Sequence, residues 1–275
     1  MPFPYKTVLV TGATSGIGLA LAERMIADDI FVIAVGRRKD RLDALVAKHG
    51  TDKVAAEPYD VSDLDNMGEW AKRITSTHPT LSCILLNAGF QRTFTFTSPS
   101  TNPPNLPLLS AELTTNYLSP VHMTTHFLPH LISLAPHPAA VILVSSGLAI
   151  IPFPRCPNYS ASKAALHSFA WSLREQLNGP EAEGTKHIRV VEILPPAVRT
   201  ELHSQQEDLV EAGQDKMGMD LGVYVEETWG DLVGEEEIDE VVYSGQRERL
   251  KAAEKGRREA FVGLVGAMRG MGAKF

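Results

Sequence analysis

A doubly wound, parallel α/β sheet is the fold that the sequence predicts, on three observations. Short apolar runs alternate with longer segments of helical periodicity along most of the chain. The runs are nearly continuous in apolar residues, as strands buried on both faces are. A glycine-rich turn follows the first run directly and opens the first helical segment. Repeated strand–helix units of this kind build a parallel sheet with helices on both faces.

The elements follow in order. Residues 7–10 (TVLV) read as the first strand and 17–28 as the first helix. Residues 31–35 (FVIAV) form the second strand, with 39–49 helical after it. Residues 54–59 form the third, and Ser62 offers an N-cap for a helix running to about Thr77. Strands four to six are 81–87, 140–145 and 188–194, with a possible seventh near 241–243. The last helix runs from about Arg247 to Met268.

Two regions break the rhythm. Residues 92–107 (RTFTFTSPSTNPPNLP) read as a loop or surface insertion. Residues 197–237 are acidic, weakly periodic and glycine-containing, and are expected to form a lid over a site. No repeat or linker divides the chain, so residues 1–275 read as one domain, ending in a helical segment over 238–275.

Composition narrows the functional classes. The chain has 275 residues, 44% apolar and 21% charged, an ordinary globular balance. A net charge of −7 argues against nucleic acid or an anionic membrane as partner. The basic residues between Arg247 and Arg258 are interrupted by Glu248 and Glu254, the pattern of a solvated helix face. Cys83 and Cys156 form no metal-binding pattern, and reduced thiols fit a cytoplasmic protein. The N-terminus lacks a signal peptide's charged and apolar regions, and no apolar run reaches membrane-spanning length.

The turn TGATSGIG occupies residues 11–18. Gly12 allows a tight turn, Gly16 a close approach of backbone to ligand, and Gly18 close packing of helix on strand. The helix start offers N–H groups to a pyrophosphate. A plain tight turn is the alternative, but the position between strand and helix favours a nucleotide site.

Further along, Tyr159 and Lys163 stand four apart in PNYSASKAAL, on one helix face. A phenol with pKa of about 10 is a poor acid or base at neutral pH. An adjacent ammonium lowers that value, and a tuned phenol can then exchange a proton with an alcohol or alkoxide. Alone, the pair could equally be a surface contact. Ser146, at the end of the fifth strand, brings a hydroxyl to the carboxyl edge of the sheet, where ligands of such folds bind.

Taken together, these motifs resemble the classical short-chain dehydrogenase/reductases over roughly residues 5–200. The matches are Gly12-x-x-x-Gly16-x-Gly18, Asp60-Val61, Asn87-Ala88-Gly89, Asn116, Ser146 thirteen residues before Tyr159, and Tyr159-x-x-x-Lys163. The resemblance implies a Rossmann-like sheet of order 3-2-1-4-5-6, with a possible seventh strand. It implies cofactor contacts at Gly12, Thr14, Ser15, Gly16, Ile17 and Gly18. Asp60 would contact the adenine with Val61 beside it, and Asn87, Ala88 and Gly89 would pass under the adenosine ribose. Lys163 would hold the nicotinamide ribose, while Pro195, Val198 and Thr200 would meet the nicotinamide. Ser146 would orient a carbonyl oxygen, Tyr159 would move the proton, and the Asn116 backbone would bind a water relaying protons to Lys163. A homodimer or homotetramer through the helices of Asn116 and Tyr159 is implied as well. Pro196 departs from the family's usual glycine, removing an N–H and fixing φ. That Pro-Pro variant resembles a DltE-like subgroup.

The cofactor follows from the end of the second strand. Gly36 stands where NAD-dependent members usually carry Asp, and Arg37 follows. A guanidinium suits a 2′-phosphate through paired donors, so NADP(H) is expected over NAD(H), although Ser15 replaces a basic residue common in NADP-preferring relatives. The expected activity interconverts a ketone or aldehyde and an alcohol, with no metal. The candidate pocket segments are residues 147–154 (GLAIIPFP), residues 90–92 and the 197–237 lid; the first is apolar and favours a substrate with apolar bulk, while Arg92 reads as solvated, with an acidic substrate group as the alternative. A non-catalytic NADP(H) sensor or scaffold, or another reaction on the same fold, are the alternatives.

Overall fold

The computed structural model describes residues 3–97, 103–180, 182–234 and 238–273. The first half lays down β1 (Thr7–Thr11), α1 (Gly16–Ala27), β2 (Phe31–Gly36), α2 (Lys39–His49), β3 (Val54–Pro58), α3 (Met67–Thr77) and β4 (Cys83–Leu86). Next, α4 (Leu106–Leu113) passes through a π-helical turn (Thr114–Leu118) into α5 (Ser119–Ser133). β5 (Ala139–Val144), a 3-10 turn (Gly147–Ala149), α6 (Pro157–Asn178) and β6 (Ile188–Leu194) follow. The chain closes with α7 (Glu201–Ser204), α8 (Glu207–Glu211), α9 (Leu221–Val233), β7 (Glu240–Val242) and α10 (Ser244–Gly270).

All strand pairs are parallel, in the order β3-β2-β1-β4-β5-β6-β7. This is the expected order, and the seventh strand is present. Alternate strand residues feed two cores. Val8, Val10, Val32, Ala34, Leu85 and Ile142 pack on one face with Leu21 and Met25 of α1, Leu42 of α2 and Trp229 of α9. Leu9, Ile33, Ile84, Val141 and Leu143 pack on the other with Trp70 of α3, Phe127 of α5 and Leu166 of α6. Burial on both sides explains why the strands read as unbroken apolar runs. Among the described residues, no helix is long and apolar enough to cross a membrane.

Three expectations are corrected. Ser62 does not cap α3: its N–H and hydroxyl both donate to Asp60 Oδ1, at 3.0 and 2.8 Å, in a local turn. That turn competes with helix, and α3 starts only after Asn66. The fourth strand is shorter than 81–87, because the Asn87 N–H leaves the ladder to donate to Thr11 Oγ1 at 2.9 Å. Residues 197–237 are not all lid. Tyr224, Val225 and Trp229 of α9 are buried in the core against α1, with Leu221 partly buried beside them. Their helical spacing was present in the sequence and was obscured by the acidic residues between them. Among the described residues of this segment, those that line the cleft at the carboxyl edge lie between Ala197 and Met217. Within the segments 92–107 and 197–237, residues 98–102 and 235–237 lie outside the described residues.

A buried charged group ties α10 to the sheet. His167 of α6 is fully enclosed, with Nδ1 2.7 Å from Glu192 Oε2 on β6 and Nε2 2.8 Å from Glu254 Oε1 on α10. The neighbouring Trp171 ring is covered by the guanidiniums of Arg257 and Arg258, at 5.1 and 4.8 Å from its centre. Burial alone would lower the His167 pKa; the bonds to the two carboxylates outweigh it and lift the imidazole to about 9. The unfolded value is about 6.5. A raised folded-state pKa gives stability that is complete below the unfolded value and disappears as pH rises through about 9. The melting temperature should therefore fall between pH 7 and pH 9.5, and His167→Gln should flatten that slope; parallel slopes in parent and variant would remove His167 from the account.

Candidate active site

The site forms where the sheet order reverses. β1 and β4 are neighbours, but their following segments leave to opposite sides, which opens a crevice at their carboxyl ends. The Thr11 hydroxyl closes its floor: it accepts from the N–H groups of Asn87 and Ala88, at 2.9 and 3.0 Å. Asn87 Nδ2 returns a bond to the Thr11 carbonyl at 3.1 Å. Sequence reasoning had used Thr11 only as the first letter of a motif.

A cleft of about 580 Å³ lies over this floor. Its walls include Gly12, Thr14, Ser15, Gly16, Ile17, Arg37, Asp60, Val61, Asn87, Ala88 and Gly89 on the side of β1 to β4. Ser146, Tyr159, Lys163, Pro195, Pro196, Val198 and Thr200 line it on the side of β5 and β6. Two of the sequence-derived residues stand behind the wall. Asn116 is fully buried. Gly18 leaves no room for a Cβ, which would press on the Asn87 amide and lie 2.6 Å from the Gly12 carbonyl oxygen.

The residues present fit a dinucleotide. Gly12 and Gly16 hold φ of +70° and +56°, which side chains rarely adopt. Ser15 sits at the N-cap of α1 in extended conformation, and its side chain does not cap the helix. Its hydroxyl instead accepts from Arg38 Nη2 at 2.6 Å, leaving the first-turn N–H groups of α1 available to an anion. Arg37, the expected phosphate partner, is largely exposed and lies 3.8 Å from Asp60. The guanidinium turned onto the glycine loop belongs to Arg38, which also donates to Thr14 Oγ1 at 2.8 Å. Sequence reasoning passed over Arg38; the doubled Arg after Gly36 was the available signal.

At the other end, Ser146 follows β5, and its hydroxyl accepts from the Leu148 N–H at 3.1 Å and lines the cleft together with Tyr159. Ser145 turns away, donating to the Ile193 carbonyl at 3.3 Å. Lys163 Nζ donates to the Val144 carbonyl at 2.8 Å and stands 5.7 Å from the centre of the Tyr159 ring. The expected effect of Lys163 on Tyr159 is corrected here. Burial raises the phenol above its ordinary pKa, and the influence of the Ser146 hydroxyl opposes this only in part. Burial also pushes Lys163 down to about 8, against the pull of Glu192 and Glu112. Tyr159 is therefore a protonated donor at neutral pH.

Supporting residues fix this arrangement. Asn116, inside the π-helical turn, donates from Nδ2 to the Phe90 carbonyl at 2.9 Å and accepts from the Phe90 N–H at 3.0 Å. π-helical turns are frequent at functional positions. The buried Glu112 carboxylate accepts from the Arg92 N–H at 2.8 Å and from Asn158 Nδ2 at 2.6 Å. It joins the loop after β4 to the start of α6. Over the cleft, Arg155 pairs with Asp208 of α8 at 2.7 Å, and Gln206 Nε2 donates to Gln91 Oε1 at 3.1 Å. His203 of α7 lines the cleft, and its Nδ1 is buried without a hydrogen-bond partner. Glu112 carried no signal in the sequence, because its partners are far away along the chain; Gln91 and His203 fell inside the segments 90–92 and 197–237 without being singled out as residues.

The model of the short chain dehydrogenase family matches residues 6–210. The chain is 34% identical over 256 residues to the uncharacterized oxidoreductase DltE of Bacillus subtilis, covering 92% of this chain and 94% of that protein. Its fold is similar to a short chain dehydrogenase from Burkholderia cenocepacia in complex with NADP, at TM-score 0.73 and 24% identity, over 95% of this chain and 97% of that one. A Burkholderia phymatum short chain dehydrogenase/reductase in complex with NAD is similar at TM-score 0.75 and 17% identity, over 91% and 93%.

The contact between Gly18 and Asn87 yields a prediction. Gly18→Ala should lower stability by about 1–3 kcal/mol in urea unfolding, the usual cost of overpacking. An unchanged midpoint would show that the floor can yield without cost.

Proposed function

Because the chain belongs to the short-chain dehydrogenase family, we propose that it is an NADP(H)-dependent oxidoreductase interconverting a ketone or aldehyde and an alcohol. One observation carries the reading: Ser146, Tyr159 and Lys163 line the same cleft as the glycine cradle. A pure binding protein has no need of a buried phenol and a serine hydroxyl beside the far end of such a cradle.

Each residue then has a task. The first turn of α1 and Gly16 hold the pyrophosphate, and Arg37 with Arg38 receive the 2′-phosphate. Lys163 holds the ribose next to the nicotinamide. Ser146 donates a hydrogen bond to the substrate oxygen and orients it. Tyr159, protonated through its burial, gives its proton to that oxygen as negative charge develops there. The bound cofactor supplies or accepts the hydride. In the reverse direction Tyr159 must first lose its proton, so oxidation requires higher pH than reduction. Leu148, Ile151, Phe153 and Leu209 line the substrate end and favour apolar bulk. Burial lowers the His203 pKa, with Arg155 acting the same way, so a neutral imidazole can meet a polar group of the substrate.

A panel of ketones and alcohols, followed at the nicotinamide absorbance band, tests the activity. Tyr159→Phe should keep NADPH binding and the thermal melt of the parent while losing nearly all turnover. Reduction by that variant at a rate near the parent's would make the tyrosine structural. For the cofactor, kcat/KM with NADPH should exceed that with NADH at least about tenfold, roughly 1.4 kcal/mol. Equal use of the two cofactors would refute the preference.

A further inference from the structure

A carboxylate already occupies the guanidiniums beside the glycine loop. Glu201 opens α7, directly after Thr200. Its Oε2 accepts from Arg38 Nη1 at 2.7 Å, and its Oε1 accepts from Arg41 Nη1 at 2.6 Å. Arg38 is otherwise committed to the loop, through Thr14 Oγ1 and Ser15 Oγ. Arg41 Nη1 also reaches the Thr14 carbonyl, at 3.2 Å. Arg38, Arg41 and Ser15 therefore form a cradle for an oxyanion at the end of β2, and the chain fills it with its own. Arg37, Arg38, Ser15 and Glu201 all line the cleft.

Resting on the NADP(H) reading above, we propose that Glu201 is an internal rival of the cofactor's 2′-phosphate for Arg38 and so sets how strongly the protein prefers NADP(H). A phosphate monoester and a carboxylate ask the same of a guanidinium, namely paired N–H donors. A 2′-phosphate arriving at Arg38 must displace Glu201 from it or accept a second anion close by. A 2′-hydroxyl brings no such conflict, because it can donate to the carboxylate. The bond from Arg38, with a smaller contribution from Arg41, holds the Glu201 carboxyl below its ordinary range, so the rival is charged at neutral pH.

A strap that merely closes over any dinucleotide is the competing role. The overhanging segment, however, has separate fastenings on the substrate side. Arg155 holds Asp208 at 2.7 Å, and Gln206 holds Gln91 at 3.1 Å. The start of α7 is also capped by Thr200 Oγ1, which accepts from the Leu202 N–H at 3.3 Å. Losing the Glu201 charge therefore leaves α7 and α8 tied down.

The test measures binding by calorimetry, without turnover, on the parent and on Glu201→Gln, with thermal melts to confirm folding. The ligands are adenosine 2′,5′-bisphosphate, 5′-AMP, NADP and NAD. The variant should bind adenosine 2′,5′-bisphosphate and NADP at least about fivefold more tightly, with 5′-AMP and NAD changed less than about twofold. Glu201→Ala should shift the affinities in the same direction. Weaker binding of all four ligands would mark a strap and overturn the proposal, as would four unchanged affinities. A parent that binds NAD at least as tightly as NADP would overturn the cofactor preference instead. The effect of Glu201→Gln on adenosine 2′,5′-bisphosphate against 5′-AMP still decides the role of Glu201.

Discussion

The seam between β1 and β4 is the constraint on which the site depends. In a parallel sheet wound both ways, one pair of neighbouring strands must send its following segments to opposite faces. Here that pair is β1 and β4, and the open space between the departing segments has to be sealed by something other than a strand. The Thr11 hydroxyl does this by accepting from two consecutive N–H groups, of Asn87 and Ala88. The same contact ends β4, lifts Gly89 under Asn116 and Lys163, and leaves no space for a side chain at Gly18. A buried Cβ-branched hydroxyl and two glycines thereby set the depth of the cleft.

Electrostatics divides the cleft into two unlike halves. At the β2 end, half-exposed guanidiniums and a carboxylate pair in reach of water, where single ion pairs contribute little to stability. Toward α6, Tyr159 and Lys163 are buried, and burial drives both toward their uncharged forms. On the proposed reading, a reaction that moves one proton and one hydride would gain from this contrast. An anionic cofactor would meet adjustable charge at one end, and the reacting groups would meet fixed, nearly dry donors at the other.

The order of the strands was legible because the central ones are short apolar runs buried on both faces, and because Gly12 and Gly18 stand where backbone passes close to backbone. The local motifs were legible for a similar reason: Tyr159 and Lys163 are neighbours on one helix. Illegible were contacts between residues distant in the chain. Nothing near Glu201 announces Arg38, 163 residues earlier. Likewise Glu112 finds the Arg92 N–H and Asn158 only once α4, the loop after β4 and α6 are assembled. Ser62 misled because a serine before a helix can cap it or can bond the carboxylate two residues back, and both leave the same trace in sequence. α9 was missed because its apolar face is interleaved with Glu226, Glu227 and Asp231.

The π-helical turn at Thr114–Leu118 has a consequence for how such a site can change. It carries one residue more than an α-helical turn, which rotates what precedes it by about 100° relative to an unbroken α-helix. Glu112 stands before the turn, and α5 is anchored in the core after it by Met123, Phe127 and Leu131. Any substitution within TTNYL leaves the residue count intact, whereas loss of a single residue would swing the Glu112 carboxylate off both its partners. Along this helix the chain is therefore strict in length, and, apart from Asn116 with its two bonds to Phe90, natural variants should diverge here by exchange of residues before they diverge by insertion or deletion.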